Sequence, residues 1–213
     1  MNIPIGETGS ALAFTPAAGP LGPGFRAPAL PQGTAHLWLM PRLDAEPSWR
    51  ALLCAYAGLP EPLALVHGAH GKPGLADSEL RFSMSRTQSA LVLALARGHE
   101  LGVDLEWLGR RVARPEGLLR RCFGTEERDA IAAAADSRAA LLAAWCAKEA
   151  VVKGIGRGIA FGLQRVRLTN GGASVRAGAS SERWYVWPFQ ADAGLIGALA
   201  CRERLVLEGF RVA

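Results

Sequence analysis

The sequence predicts an α+β protein built in two halves. The coarse order of elements is strand, helix and strands, then helices, then strands again, which suits segregated α+β units better than alternating β-α repeats. Half of the 213 residues are hydrophobic, enough for a sizeable core and too many for a disordered chain. Composition divides the chain into a Gly/Pro/Ala-rich stretch over 1–34, a first half over 35–100 and a second half over 101–213. No apolar run is long enough to span a bilayer, and the first residues lack the basic and apolar regions of a signal peptide. A cytoplasmic protein with no membrane partner is therefore expected.

Residues 1–34 carry no periodicity and read as a mobile tail or an extended wrap over the surface. Ala35 to Met40 alternates well enough for a first strand. Ser48 to Ala57 reads as a helix with Ser48 as cap and Gly58 as stop, and Leu63 to Val66 as a short strand. Gly71-Lys72-Pro73-Gly74 is a tight turn, either an ordinary surface turn or one that projects an ammonium group. Arg81 to Arg86 alternates and ends in a hydroxyl and a guanidinium, a pair able to hold a phosphate. Ala90 to Ala96 reads as a buried strand, and Leu101 to Glu106 is expected to return antiparallel to it after Arg97-Gly98-His99-Glu100.

The next helix starts at Arg114-Pro115, with Pro at the first position, and runs to Phe123. Thr125 is expected to cap a further helix, to about Ala135, with Glu126 and Glu127 in the first turn where the macrodipole favours them. The helix that organises the second half begins at Asp136 or Ser137 and is expected to stop at Gly154. Strands follow at 165–169 and 173–176, joined by Asn170-Gly171-Gly172, and at 183–187, 195–201 and 205–207.

Chemistry concentrates at two of these elements. In the organising helix, Leu142, Trp145, Glu149 and Val152 form one stripe, so a carboxylate stands in line with core-facing residues. A charge removed from water needs a partner, and Lys153, four residues on, offers an intrahelical ion pair. In the strand Gly102-Val103-Asp104-Leu105-Glu106, Val103 and Leu105 face one way and Asp104 and Glu106 the other. Such a pair is either a solvated strand face or part of a site for one hard cation. Oxygen-only ligands favour Mg²⁺ or Mn²⁺, which complete their shells with water and substrate phosphate. Lys72, Arg86, Lys148 and Lys153 could neutralise such a phosphate, while no Gly-rich phosphate loop or kinase signature points to ATP.

The net charge of +5 and an isoelectric point near 9.4 suit an acidic partner, whether nucleic acid, a phosphorylated cofactor or an acidic protein. Zinc-finger spacing, basic-zipper heptads and RNA-recognition signatures are absent, so nucleic acid is not expected as the partner. Cys54, Cys122, Cys146 and Cys201 lie far apart without metal-type spacing and read as buried thiols.

Four pieces of the chain together resemble the 4′-phosphopantetheinyl transferases of the Sfp type. They are Gly71-Lys72-Pro73, Phe82-Ser83-Met84-Ser85-Arg86, Gly102-Val103-Asp104-Leu105-Glu106, and Trp145-Cys146-Ala147-Lys148-Glu149-Ala150-Val151-Val152-Lys153, within about 35–205. The resemblance implies two similar α+β halves related by a pseudo-twofold, with the active site in the cleft between them. It implies transfer of the phosphopantetheine arm of coenzyme A to a serine of an acyl or peptidyl carrier protein by a monomeric enzyme, a holo-[acyl-carrier-protein] synthase, with release of adenosine 3′,5′-bisphosphate. Asp104, Glu106 and Glu149 would bind Mg²⁺, Glu149 would accept the serine proton, and Lys148 and Lys153 would contact phosphate. Lys72, Ser85 and Arg86 would hold the adenosine-phosphate end. Two positions depart from the pattern: Ser83 and Arg86 stand where the family usually has Asn and His. An Arg-rich helix before the Gly-Lys-Pro turn is also missing. A non-catalytic relative that binds coenzyme A or a carrier protein without turnover is the competing reading.

Overall fold

The computed structural model describes residues 12–17, 21, 25–42, 45–60, 62–113, 115–170, 172–177, 180–192 and 194–212. In chain order the elements are β1 (Phe14–Pro16), β2 (Thr34–Pro41), α1 (Ala45–Ala57), β3 (Val66–His67), β4 (Pro73–Gly74), β5 (Leu80–Arg86), β6 (Ala90–Arg97) and β7 (Leu101–Trp107). They continue with α2 (Pro115–Cys122), α3 (Thr125–Ala133), α4 (Ser137–Ile155), β8 (Val166–Thr169), β9 (Gly172–Ala177), β10 (Ser180–Asp192), β11 (Leu195–Cys201) and β12 (Val206–Arg211). The α+β class is as expected. One five-stranded sheet has the order β1-β12-β2-β6-β5 and a second the order β7-β11-β10-β9-β8.

Alternation along the strands sorts the side chains into layers. Leu37 and Leu39 of β2 and Val92 and Ala94 of β6 meet Val103 and Leu105 of β7 and Leu199 of β11 between the two sheets. The opposite residues of the first sheet, Trp38, Met40, Leu91 and Leu93, pack under α1 through Trp49, Leu52 and Leu53. On the far side, Trp184, Val186, Ala198 and Ala200 pack under Ala147, Ala150 and Val151 of α4, joined by Phe123 and Ile131. The order of layers is helix, sheet, sheet, helix.

The expected hairpin between Ala90–Ala96 and Leu101–Glu106 does not form. Both edges of β6 are already paired, with β2 and β5. β7 therefore crosses to the second sheet and pairs antiparallel with β11. Its link to β5 is made by a side chain, with Val103 N–H donating to Ser83 Oγ at 3.1 Å. The last strand also crosses over: β12 pairs parallel with β2 and so adds residues from 101–213 to the first sheet.

The organising helix begins as the sequence indicates, with Asp136 Oδ1 accepting from Arg138 N–H at 3.0 Å and Ala139 N–H at 2.9 Å. It does not stop at Gly154. The helix ends at Gly156, which has φ +73° and donates its N–H to Val152 O at 3.1 Å. Gly154 stays helical because its bare Cα is a packing site: a Cβ there would lie 2.5 Å from Trp184 Cζ3. Across from it, a Cβ on Gly102 would lie 2.0 Å from Ala150 O and 2.3 Å from Gly154 N. Two glycines thus let the β7 and α4 backbones touch.

Smaller corrections have local causes. α1 begins at Ala45 rather than being capped by Ser48, since Pro47 in the first turn has no intrahelical N–H bond to lose. Leu63 is buried in the core under α1, but pairing in that stretch is confined to Val66–His67 against Pro73–Gly74. α3 is capped at Gly124, not Thr125, through Gly124 N–H donating to Glu127 Oε2 at 2.7 Å. The described part of 1–34 is a wrap: β1 pairs with β12, Leu30 is buried, and Phe25 sits edge-on to Trp38 at 5.8 Å. All four cysteines are buried thiols outside any disulfide.

The glycine contacts predict substitutions of opposite sign. Gly102→Ala forces a methyl into backbone and should cost roughly 3 kcal/mol or more in urea unfolding. Gly117→Ala, in α2 with open space around the added Cβ, should gain about 0.5–1 kcal/mol.

Candidate active site

β7 presents alternate residues to α4, so Asp104 and Glu106 follow Gly102 along the contact with that helix. Asp104 Oδ1 accepts from Lys153 Nζ at 2.7 Å and from Ser85 Oγ at 2.7 Å. Asp104 Oδ2 is buried and has no hydrogen-bond partner. Glu106 pairs with Arg110, four residues on, across the turn that ends β7. Glu149 is buried on α4. Burial raises its pKa, the Asp104 charge raises it further, and Lys153 opposes both. Burial also raises the pKa of Glu106, with Arg110 opposing and Asp104 adding. Lys153 is committed to Asp104, with a second contact to Met84 O at 3.4 Å, rather than to the expected intrahelical pair with Glu149.

The structure thus brings Asp104, Glu106, Glu149, Lys153 and Ser85 together. Among the described residues no group of three or more His, Cys, Asp or Glu side chains is arranged to hold a metal ion as it stands. Lys153 and Arg110 occupy the carboxylates instead. The donor set nevertheless fits a hard divalent cation. It is all oxygen, one buried carboxylate oxygen is orphaned, and Glu149 and Glu106 are pushed toward the neutral acid by burial and by Asp104.

Lys148 lies elsewhere. Consecutive helical residues point about 100° apart, so when Glu149 faces β7 its neighbour faces α2 and α3. Lys148 is buried, and its Nζ donates to Glu127 Oε2 at 2.8 Å, Cys122 O at 2.9 Å and Val166 O at 2.6 Å. Glu127 accepts in turn from Gly124 N–H at 2.7 Å and Leu168 N–H at 2.8 Å. This buried pair joins α2, α3, α4 and β8. The expected phosphate contact of Lys148 has no counterpart in this arrangement. The sequence places Glu127 in the first turn of α3, where the macrodipole favours it, without showing its partner. Its place three residues after Gly124 is capping-box spacing, and that was the available signal.

Lys72 and Arg86 are also apart from the carboxylates. Lys72 Nζ donates to Glu100 Oε2 at 2.6 Å, Leu101 O at 3.1 Å and Gly154 O at 3.1 Å. Arg86 is exposed on the Met84 side of β5, with Nη2 3.6 Å from Met84 Sδ, whereas Ser85 faces Asp104 on the other side. The hydroxyl and guanidinium that the sequence places side by side are separated by strand alternation.

A groove of about 590 Å³ opens one helical turn before Glu149. Arg110, Arg111 and Arg121 line it together with Leu118, Leu142 and Trp145. It combines apolar surface with three guanidinium groups beside the carboxylate cluster. No helix among the described residues is long and apolar enough to cross a membrane.

Residues 100–201, which carry the carboxylates and α4, match the 4′-phosphopantetheinyl transferase superfamily. The chain is 31% identical over 115 residues to a Synechocystis protein provisionally named a 4′-phosphopantetheinyl transferase, covering 51% of this chain and 46% of that one. It is also 31% identical over 118 residues to the 4′-phosphopantetheinyl transferase HetI of Nostoc, covering 52% of this chain and 49% of HetI. The matched region spans about half the length of these relatives.

Two outcomes follow from this geometry. Lys148→Met leaves the Glu127 charge buried without its cation and should cost about 3–5 kcal/mol in urea unfolding. Adding Glu127→Gln to that variant should return part of the loss. For Glu149, a folded pKa above the unfolded value means the native state binds more protons than the unfolded one, so its contribution to stability falls as pH rises from about 4.5. With chelator present, Glu149→Gln should therefore gain stability relative to wild type between pH 5 and pH 8, a trend read from thermal melts at each pH; a constant difference would contradict it.

Proposed function

We propose that this protein transfers the 4′-phosphopantetheine arm of coenzyme A to a serine hydroxyl of an apo carrier protein, with release of adenosine 3′,5′-bisphosphate. The observation that carries the reading is the convergence of Asp104, Glu106, Glu149 and Lys153 where β7 meets α4, inside the stretch that matches the transferase superfamily. Asp104, Glu106 and Glu149 would hold Mg²⁺ or Mn²⁺, which would supply neutralising charge at the coenzyme A pyrophosphate.

In this reading the serine oxygen attacks the phosphorus that bears the pantetheine arm, and the phosphorus–oxygen bond to the adenosine half breaks. Glu149 accepts the serine proton. Lys153, held beside Asp104, stabilises negative charge on the leaving phosphate. Ser85 orients Asp104 through its hydroxyl. The partner is an acyl or peptidyl carrier protein with an acidic docking face. The groove of Arg110, Arg111 and Arg121 with its apolar lining suits an acidic amphipathic helix, and Arg120 extends the same charge along α2. The two sheets, each covered by helix on its outer side, are read as pseudo-twofold halves of a cytoplasmic monomer.

Intact-protein mass spectrometry tests the reading. The protein is mixed with an apo carrier protein, coenzyme A and Mg²⁺. The expected result is one phosphopantetheine added to the carrier, abolished by chelator and by Glu149→Ala. No addition across several carriers, with coenzyme A still bound in calorimetry, would make the protein a binder without turnover.

A further inference from the structure

We propose that Lys72 is a positioning residue, which fastens the C-terminal end of α4 to the start of β7 and so fixes where Lys153 and Glu149 stand. The inference deepens the transferase reading and rests on it only for the catalytic consequence. An ammonium group has three donors, and Lys72 Nζ has three close acceptors: Glu100 Oε2 at 2.6 Å, Leu101 O at 3.1 Å and Gly154 O at 3.1 Å. Its hydrogen-bonding capacity is therefore spent inside the protein. Glu100 is itself held by Arg81, with Nε 3.0 Å from Oε1, so the carboxylate that orients Lys72 is anchored on β5.

The acceptors explain the effect. Leu101 is the first residue of β7, and Gly154 O belongs to the last turn of α4, where carbonyls lack intrahelical partners. A cation at a helix C-terminus satisfies such a carbonyl and also meets the negative end of the macrodipole. The residue before Gly154 is Lys153, whose ammonium reaches Asp104, and Glu149 lies about one turn earlier. The close approach of Lys72 to the cap reinforces the fit, since a Cβ on Gly156 would sit 3.1 Å from Lys72 Cδ. The Gly-Lys-Pro turn is thereby tied to the catalytic helix from a distance of 82 residues in sequence.

The test uses the whole protein with Lys72→Met, and with Glu100→Gln as a milder second variant. In hydrogen-exchange mass spectrometry, amides of 152–158 should exchange about tenfold faster in Lys72→Met, while those of β9 and β10 stay unchanged. Glu100→Gln should shift the same amides in the same direction by less, and it decides the matter if Lys72→Met does not fold. In turnover, kcat should fall about tenfold for coenzyme A and for 3′-dephospho-coenzyme A alike, with KM for each within about twofold. Calorimetric affinity for adenosine 3′,5′-bisphosphate should also hold within about twofold of wild type. Unchanged exchange over 152–158 would overturn the proposal. So would a tenfold loss of bisphosphate affinity, or a penalty confined to the 3′-phosphorylated substrate, because either makes Lys72 a phosphate contact. If the wild-type protein neither turns over nor binds the bisphosphate, the transferase reading fails and the exchange result alone decides the role of Lys72.

Discussion

The site depends on one steric constraint, the contact between the backbones of β7 and α4. At Gly102 there is no room for a side chain, because the carbonyl of Ala150 and the amide of Gly154 occupy the place of a Cβ. Trp184 closes the same spot from the second sheet by lying against Gly154. A strand and a helix at this separation bring side chains two positions further along the strand directly under the helix. That is why the Asp104 carboxylate reaches the Lys153 ammonium at 2.7 Å and why Glu149, although on a different element, feels the Asp104 charge. Ordinary strand-to-helix spacing would leave these groups apart and wet.

The charges around this contact form two systems kept separate by helical geometry. One face of α4 carries Glu149 and Lys153 toward β7, where negative charge outweighs its compensation and a buried carboxylate oxygen has no partner. The adjacent face carries Lys148 into the packing of α2, α3 and β8, where every strong group is matched: the ammonium by Glu127 and carbonyls, the carboxylate by two backbone amides as well. The matched system gives a fixed frame. The unmatched one has an unmet demand for positive charge. Consecutive residues in one sequence motif therefore belong to different jobs.

Much of this was legible in the sequence. The two acids of β7 and the stripe of α4 follow from periods of two and 3.6, and the element types are set by patterning and caps. What the sequence did not disclose depends on pairing and packing. The hairpin expected between β6 and β7 is locally plausible, but it ignores that β2 and β5 claim both edges of β6. Gly154 looks like a stop because glycine at a helix end usually is one. Only Trp184 and Gly102, distant in sequence, explain why it lies inside. Lys148 and Glu149 are neighbours in the motif, but the angle between consecutive helical residues sends them into different surroundings, which spacing in the motif alone does not show. Glu127 has a local spacing signal for its cap, but its partner Lys148 lies 21 residues away.

The order β1-β12-β2 also bears on how the protein is made. β12 is flanked by two strands from the opposite end of the sequence, pairing parallel with both. A nascent chain that has extruded β2, α1, β5 and β6 can assemble the antiparallel part of its first sheet, but the slot beside β2 stays open until residues 206–211 emerge. Through that interval His36, Trp38 and Met40 lack a neighbouring strand on one side, and the unpaired edge of β2 is a place for another chain to join. Completion of the first sheet is thus deferred until the strands of the second have been synthesised.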